Sequence, residues 1–171
     1  IITTAALAAT KKKLDQSWTD KEFKEQKIVE DKIVEDLNKY CKNIEAGALQ
    51  TVKAGSIYHL KSVIKAKTNK SSTDLIRLLH PTPAVAGMPK NLAISYINRK
   101  EDYDRSFYSG FLGLLESKSC DIYVNIRCAK IVDDDLTIYV GGGITNDSNA
   151  VDEWHEILNK SQTMLGIFHQ G

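Results

Sequence analysis

The chain has 171 residues, 42% of them hydrophobic and 26% charged, a composition that supports a packed core and excludes disordered, collagen-like and disulfide-framework chains. Its 23 Lys and Arg against 22 Asp and Glu leave a formal charge of +1, so no global field selects nucleic acid or an acidic membrane surface as a partner. The three cysteines, Cys41, Cys120 and Cys128, lack zinc-ligand spacing and read as reduced thiols of a cytoplasmic protein.

Residues 1–5 read as a strand already under way at Ile1, which makes the chain a fragment of something longer. The longest apolar run, Ala5 to Ala9, is too short to span a bilayer, and no export signal opens the chain. A polar connection through Lys11, Lys12 and Lys13 leads to Thr19-Asp20-Lys21-Glu22, which has the form of a helix capping box. Apolar residues at Ile28, Val29, Ile33, Leu37, Tyr40, Cys41 and Ile44 then recur at helical spacing, with Gly47 as the stop and Glu25 beside the buried face. Residues 51–68 turn to strand, Ser56, Tyr58, Leu60, Ser62 and Ile64 alternating against Ile57, His59, Lys61 and Val63.

Ser72-Thr73-Asp74 caps a short helix ending near Leu79, and Pro81, Pro83 and Pro89 then fix a stiff, extended loop. A helix follows from Pro89 to about Arg99. Three strands are expected over 108–115, 121–132 and 136–140, with short polar turns such as Asp133-Asp134-Asp135 favouring antiparallel neighbours. The last helix runs from about Asn149 to Phe168, capped by Ser148. No repeat or second domain boundary is visible.

Several constellations could carry chemistry. Glu153, Glu156 and Lys160 lie along one stripe of the last helix, beside Trp154, Ile157, Leu158 and Leu165. Two carboxylates at a burial boundary suit Mg²⁺, although on spacing alone a solvated acidic face with a Glu156–Lys160 ion pair is the plainer reading. Gly141-Gly142-Gly143 follows a strand and would let backbone N–H groups approach an anion, or would simply make a tight turn. Arg127, inside a strand and flanked by apolar residues, needs either a structural carboxylate or a substrate carboxylate. His59 and His80 have no serine or cysteine nucleophile at motif spacing and read as hydrogen-bonded structural histidines.

Five segments occur together in the order found in chorismate-utilising enzymes. They are residues 80–89 (HPTPAVAGMP), 104–110 (DRSFYSG), 125–130 (NIRCAK), 141–144 (GGGI) and 153–156 (EWHE). The chain most resembles isochorismate synthases of the menaquinone or siderophore pathways, from Thr4 to Phe168. The resemblance implies a mixed α/β fold of the α+β type, with antiparallel sheets flanked by helices in a two-lobed structure. Residues 1–171 would be the C-terminal portion of a single chorismate-binding domain, completed by an N-terminal lobe of the same enzyme.

It further implies Mg²⁺ as cofactor, held by Glu25 and Glu156 with Glu153 beside them or acting through water. Arg127 and the backbone of Gly141, Gly142 and Gly143 would hold a substrate carboxylate, and Lys160 would help position or neutralise the assembly. Ala84 and Val85 would line the ring pocket, with Tyr108, His59 and Thr10 as further substrate contacts. The implied reaction adds water at ring C2 of chorismate while the C4 hydroxyl leaves, giving isochorismate. Relatives that install ammonia carry Gly-Thr where Pro83-Ala84 stands here. The lysine base and glutamate acid of the family mechanism are expected upstream of Ile1, so no catalytic proton-transfer residue is assigned within the chain.

Two departures stand out: Ala9 replaces a family glycine, and Gln26 replaces a common histidine. A salicylate synthase, which goes on to eliminate pyruvate, and a non-catalytic chorismate-binding module remain as alternatives. The pattern fixes no oligomeric state, and a monomer is compatible with it.

Overall fold

A computed structural model describes residues 1–55, 57–117 and 119–168, so that Ser56 of the expected strand alternation lies outside the described residues. The chain forms two compact units, Ile1–Lys90 and Asn91–Gly171.

The first unit is a four-stranded antiparallel sheet covered by a helix. Strand β4 (Ile57–Lys67) is its centre: β1 (Ile2–Lys11) pairs along one edge, and β2 (Lys42–Ala46) and β3 (Gln50–Ala54) share the other. Helix α1 (Asp20–Leu37) starts at the expected capping box, where Thr19 N–H donates to Glu22 Oε2 at 2.7 Å. It buries Val29, Ile33 and Leu37 against Ala6, Ala8, Ile64 and Ala66, with Leu75 of α2 (Ser72–Leu79) closing the cluster. The alternation of Leu60, Ser62, Ile64 and Ala66 along β4 puts all four on the covered face.

Several boundaries differ from the sequence expectation. Helix α1 stops at Leu37 rather than near Gly47, because the chain turns at Asn38 and then enters β2 to satisfy its backbone on the edge of β4. The strand expected over 51–68 is a hairpin, β3 and β4, turning at Gly55, whose φ of 64° suits a residue without a side chain. Ser71, not Ser72, caps α2, accepting the Asp74 N–H at 3.2 Å. The proline loop contains a helical turn, α3 (Pro83–Ala86), with Pro83 at its start, where a missing N–H costs nothing.

The second unit contains α4 (Lys90–Lys100), whose first residue closes the first unit, then two hairpins and a long helix. β5 (Phe111–Leu115) pairs with β6 (Cys120–Val124), and β7 (Cys128–Val132) pairs with β8 (Asp135–Tyr139) through the expected aspartate turn. The strand expected over 121–132 is thus two, and Arg127 lies in the break at φ 51° rather than inside a strand. Helix α5 (Ala150–Phe168) is capped by Asn149, whose Oδ1 accepts from Val151 N–H at 3.0 Å and Asp152 N–H at 3.3 Å. Ser148 instead accepts the Thr145 N–H. Trp154 and Leu158, expected on a buried stripe, are exposed, and Glu153 is the buried residue of this helix. No helix among the described residues is long and apolar enough to cross a membrane.

Candidate functional site

Two groups of residues meet the description of a site, one in each unit. In the first unit, the β1–β4 register shifts between Ala8 and Lys11, and this bulge turns the Ala9 peptide out of the ladder. Ala9 sits at φ 59°, a left-handed conformation that favours glycine, so its Cβ is held in a strained setting. Ala9 N–H donates to Glu25 Oε1 at 3.2 Å, and Ala9 C=O lies 2.6 Å from His59 Nδ1. A carbonyl only accepts, so Nδ1 carries the imidazole proton. The Thr10 hydroxyl stands 3.4 Å from the same nitrogen. Glu25 and His59 are therefore both held by the backbone of Ala9, with the Thr10 hydroxyl beside His59.

One residue along α1, buried Gln26 donates to the buried Ser62 hydroxyl at 2.9 Å, which gives it a structural role. Ala84 and Val85 sit on α3, which packs against α1; Ala84 is exposed and Val85 half-buried.

In the second unit, the glycine triplet follows β8 and faces α5. A Cβ on Gly142 would stand 3.7 Å from Glu153 Oε2, 3.9 Å from Glu156 Oε1 and 3.7 Å from Ile157 Cδ1, so both carboxylates converge on this glycine. Lys160 closes the group: its Nζ lies 2.7 Å from Glu156 Oε1 and donates to Gly141 C=O at 3.0 Å. At Gly141 a Cβ would collide with the Tyr108 hydroxyl, so only glycine lets that phenol rest on the loop. Gly143 is exposed at the end of the triplet.

Tyr108 is itself fixed from behind. It stacks on Tyr139 with ring centroids 5.5 Å apart, and Arg105 lies 5.5 Å over its ring. Arg105 is clamped to Glu101 by two hydrogen bonds of 2.6 and 2.5 Å. Burial pushes the Tyr108 phenol up from its ordinary value, keeping it a hydrogen-bond donor at neutral pH. Burial pushes the half-buried Arg127 guanidinium down. The sequence reading missed the clamp on Tyr108, although Glu101 and Arg105 stand at ion-pairing spacing. It also had no signal for the conformation of Arg127.

The structure thus brings together Gly141, Gly142, Glu153, Glu156, Lys160 and Tyr108, and separately Glu25, Thr10 and His59. Among the described residues, no group of three or more His, Cys, Asp or Glu side chains is gathered tightly enough to hold a metal alone. A pair of carboxylates nevertheless fits Mg²⁺, which retains waters and draws further oxygens from its substrate.

Comparison with known proteins adds an independent line. The family model described as chorismate binding enzyme matches residues 4–169. The isochorismate synthase DhbC of Bacillus subtilis is 34% identical over 157 residues, covering 87% of this chain and 39% of the relative. The isochorismate synthase MenF of Escherichia coli is 38% identical over 114 residues, covering 66% of this chain and 26% of the relative. Among solved structures, a chain described as the 2,3-dihydroxybenzoate-specific isochorismate synthase of Bacillus anthracis superposes with a TM-score of 0.91 at 28% identity, over 99% of this chain and 49% of that one. The menaquinone-specific isochorismate synthase of Escherichia coli gives 0.85 at 30% identity, over 95% and 42%. The chain therefore spans less than half the length of these relatives.

Proposed function

Because the chain belongs to the chorismate-binding enzyme family, we propose that it is the metal- and substrate-binding part of an isochorismate synthase. The reaction converts chorismate to isochorismate, with water adding at C2 as the C4 hydroxyl departs. The observation that carries this reading is the convergence of Glu153 Oε2 and Glu156 Oε1 on Gly142, beside a loop whose carbonyl is held by Lys160. Bound at these carboxylates, Mg²⁺ would supply positive charge against a carboxylate of the substrate. Glu25 joins the proposed ligand set through the family resemblance. What supports it within its own unit is a carboxylate oxygen oriented by the Ala9 N–H.

The remaining roles follow from the chemistry of the side chains. Arg127, half-buried and cationic, would pair with a carboxylate of chorismate, and a planar guanidinium can do so through two parallel bonds. The backbone of Gly141 to Gly143 would approach the same ligand without a Cβ in the way. Tyr108 would donate its phenolic proton in a hydrogen bond, from a ring already immobilised by Tyr139 and Arg105. His59 and Thr10 would shape the pocket around the Ala9 bulge, and Ala84 and Val85 would contact the ring and favour water over ammonia as the incoming group.

The general base and general acid would come from the part of the longer relatives that this chain does not span. The three cysteines are free thiols, which suits the reducing cytoplasm we assign to it, in a menaquinone or siderophore route.

Calorimetric titration of chorismate into the chain tests the proposal. Binding that appears only with Mg²⁺ supports it. Equal binding without the metal removes Mg²⁺ from the account, and no binding under either condition overturns the assignment of the site to this chain. Salicylate and pyruvate as products of the longer protein would replace isochorismate synthase with salicylate synthase.

A further inference from the structure

Tyr108 and Arg127, both assigned to the substrate, stand on irregular backbone just outside β5 and β6. Tyr108 lies in the turn that the Gly110 N–H closes on the Phe107 carbonyl at 3.1 Å. Ser109, the other central residue of that turn, has φ 64°, a conformation that favours glycine. Arg127 is held at φ 51° in the break before β7. Such backbone persists only where surrounding bonds over-determine it. Asn125 supplies those bonds to both segments. It extends the β5–β6 pairing past Phe111 and Val124: its N–H donates to the Gly110 carbonyl at 2.9 Å, and its carbonyl accepts the Ser109 N–H at 2.8 Å. Any residue but proline could make those two bonds. The third belongs to the side chain, for Asn125 Nδ2 donates to the Phe107 carbonyl at 2.8 Å, the same oxygen that closes the Tyr108 turn.

A carbonyl oxygen has two lone pairs, so the Phe107 oxygen takes both donors at once. Resting on the reading that Tyr108 and Arg127 contact the substrate, we propose that the Asn125 side chain is a bracket that sets the distance between them. It is a positioning residue. It ties the Tyr108 turn to the end of the strand that leads into Arg127, so that the phenol and the guanidinium meet one ligand as a preformed pair. Arg105 grips the same turn separately: its Nη1 donates to the Ser109 hydroxyl at 3.1 Å and its guanidinium lies over the Tyr108 ring. The ring is thus steadied by Arg105, and its spacing from Arg127 is fixed by Asn125.

Calorimetric titration of chorismate, with Mg²⁺ present, into the 171-residue chain and a double-mutant cycle tests the bracket. Asn125→Ala should weaken binding about fivefold, the size of one lost neutral hydrogen bond. Tyr108→Phe keeps the ring and removes the hydroxyl that the bracket places, so in that background Asn125→Ala should cost less than about twofold. A side chain that merely stabilised the loop would cost the same in both backgrounds. Asn125→Leu, branched in the same way but without a donor, should reproduce both results and serves if the alanine variant fails to fold. Equal costs in the two backgrounds, or full affinity in both Asn125 variants, overturn the bracket and leave the binding site standing. No chorismate binding by the parent overturns the site and the bracket with it.

Discussion

The two units hold their candidate residues on different foundations. In Ile1–Lys90 a closed apolar cluster does the work: Ala6, Leu37 and Ile64 are wholly enclosed, and the Ala9, Glu25 and His59 group rests on the strand and helix that form that cluster. In Asn91–Gly171, the buried side chain among the described residues is the carboxylate of Glu153, while Phe111, Leu112, Leu114, Leu115 and Trp154 are exposed. Polar ties fix the site there instead: Lys160 on Gly141, Arg105 on Glu101, and Tyr108 stacked on Tyr139. Apolar enclosure is thus concentrated in the first unit and polar ties in the second, so substitutions in the two should fail in different assays.

The largest separation should come from paired truncations. Ile64→Ala empties a fully enclosed position and should cost about 3 kcal/mol in denaturant unfolding. Leu114→Ala removes an exposed side chain and should change stability by less than about 0.5 kcal/mol. Comparable losses would break the contrast between the units. Arg127→Ala should show the converse, weakening chorismate by about 1.5–3 kcal/mol in calorimetry while leaving the unfolding midpoint in place; an affinity unchanged within error would remove Arg127 from the site.

Smaller effects sharpen the picture. Ala9→Gly relieves the left-handed strain but frees the unfolded chain, for a net gain of about 0.5 kcal/mol in the same unfolding measurement. A destabilised variant would mean that the Ala9 methyl packs better than its backbone is strained. The hydrogen bonds from Arg105 hold the Glu101 carboxyl below its ordinary range. Because this shift is downward on folding, its contribution is present above the usual glutamate value of about 4.3 and is lost as the pH falls through the lower folded value. For this partly exposed pair the loss should be under about 1 kcal/mol, and Glu101→Gln should abolish that component of the acid dependence. A Gln variant with an unchanged acid limb would exclude the pair as its source.

Local chemistry was legible wherever it depends on neighbouring residues. The Thr19–Glu22 box and the Asp133-Asp134 turn were readable because each satisfies backbone groups within a few positions, whereas the helical turn that starts at Pro83 was read as extended loop. The stop of α1 at Leu37 was not, since Tyr40, Cys41 and Ile44 continue the helical period while the sheet edge of β4 draws the chain into a strand. Positive φ at Ala9 and Arg127 is equally invisible, because nothing in an alanine or arginine announces a bulge or a break. The glutamate stripe and the glycine triplet were visible as patterns. That both carboxylates face Gly142, and that Tyr108 rests on Gly141, are tertiary facts.

The central claim, that the paired glutamates of α5 seat a divalent cation beside the glycine loop, is tested most directly by anomalous diffraction from crystals soaked in Mn²⁺, which takes the same oxygen ligands as Mg²⁺. The account predicts a peak about 2.1 Å from an oxygen of Glu156, with Glu153 bound directly or through one water. Peaks confined to other parts of the chain, or none at Glu153 and Glu156, would contradict it.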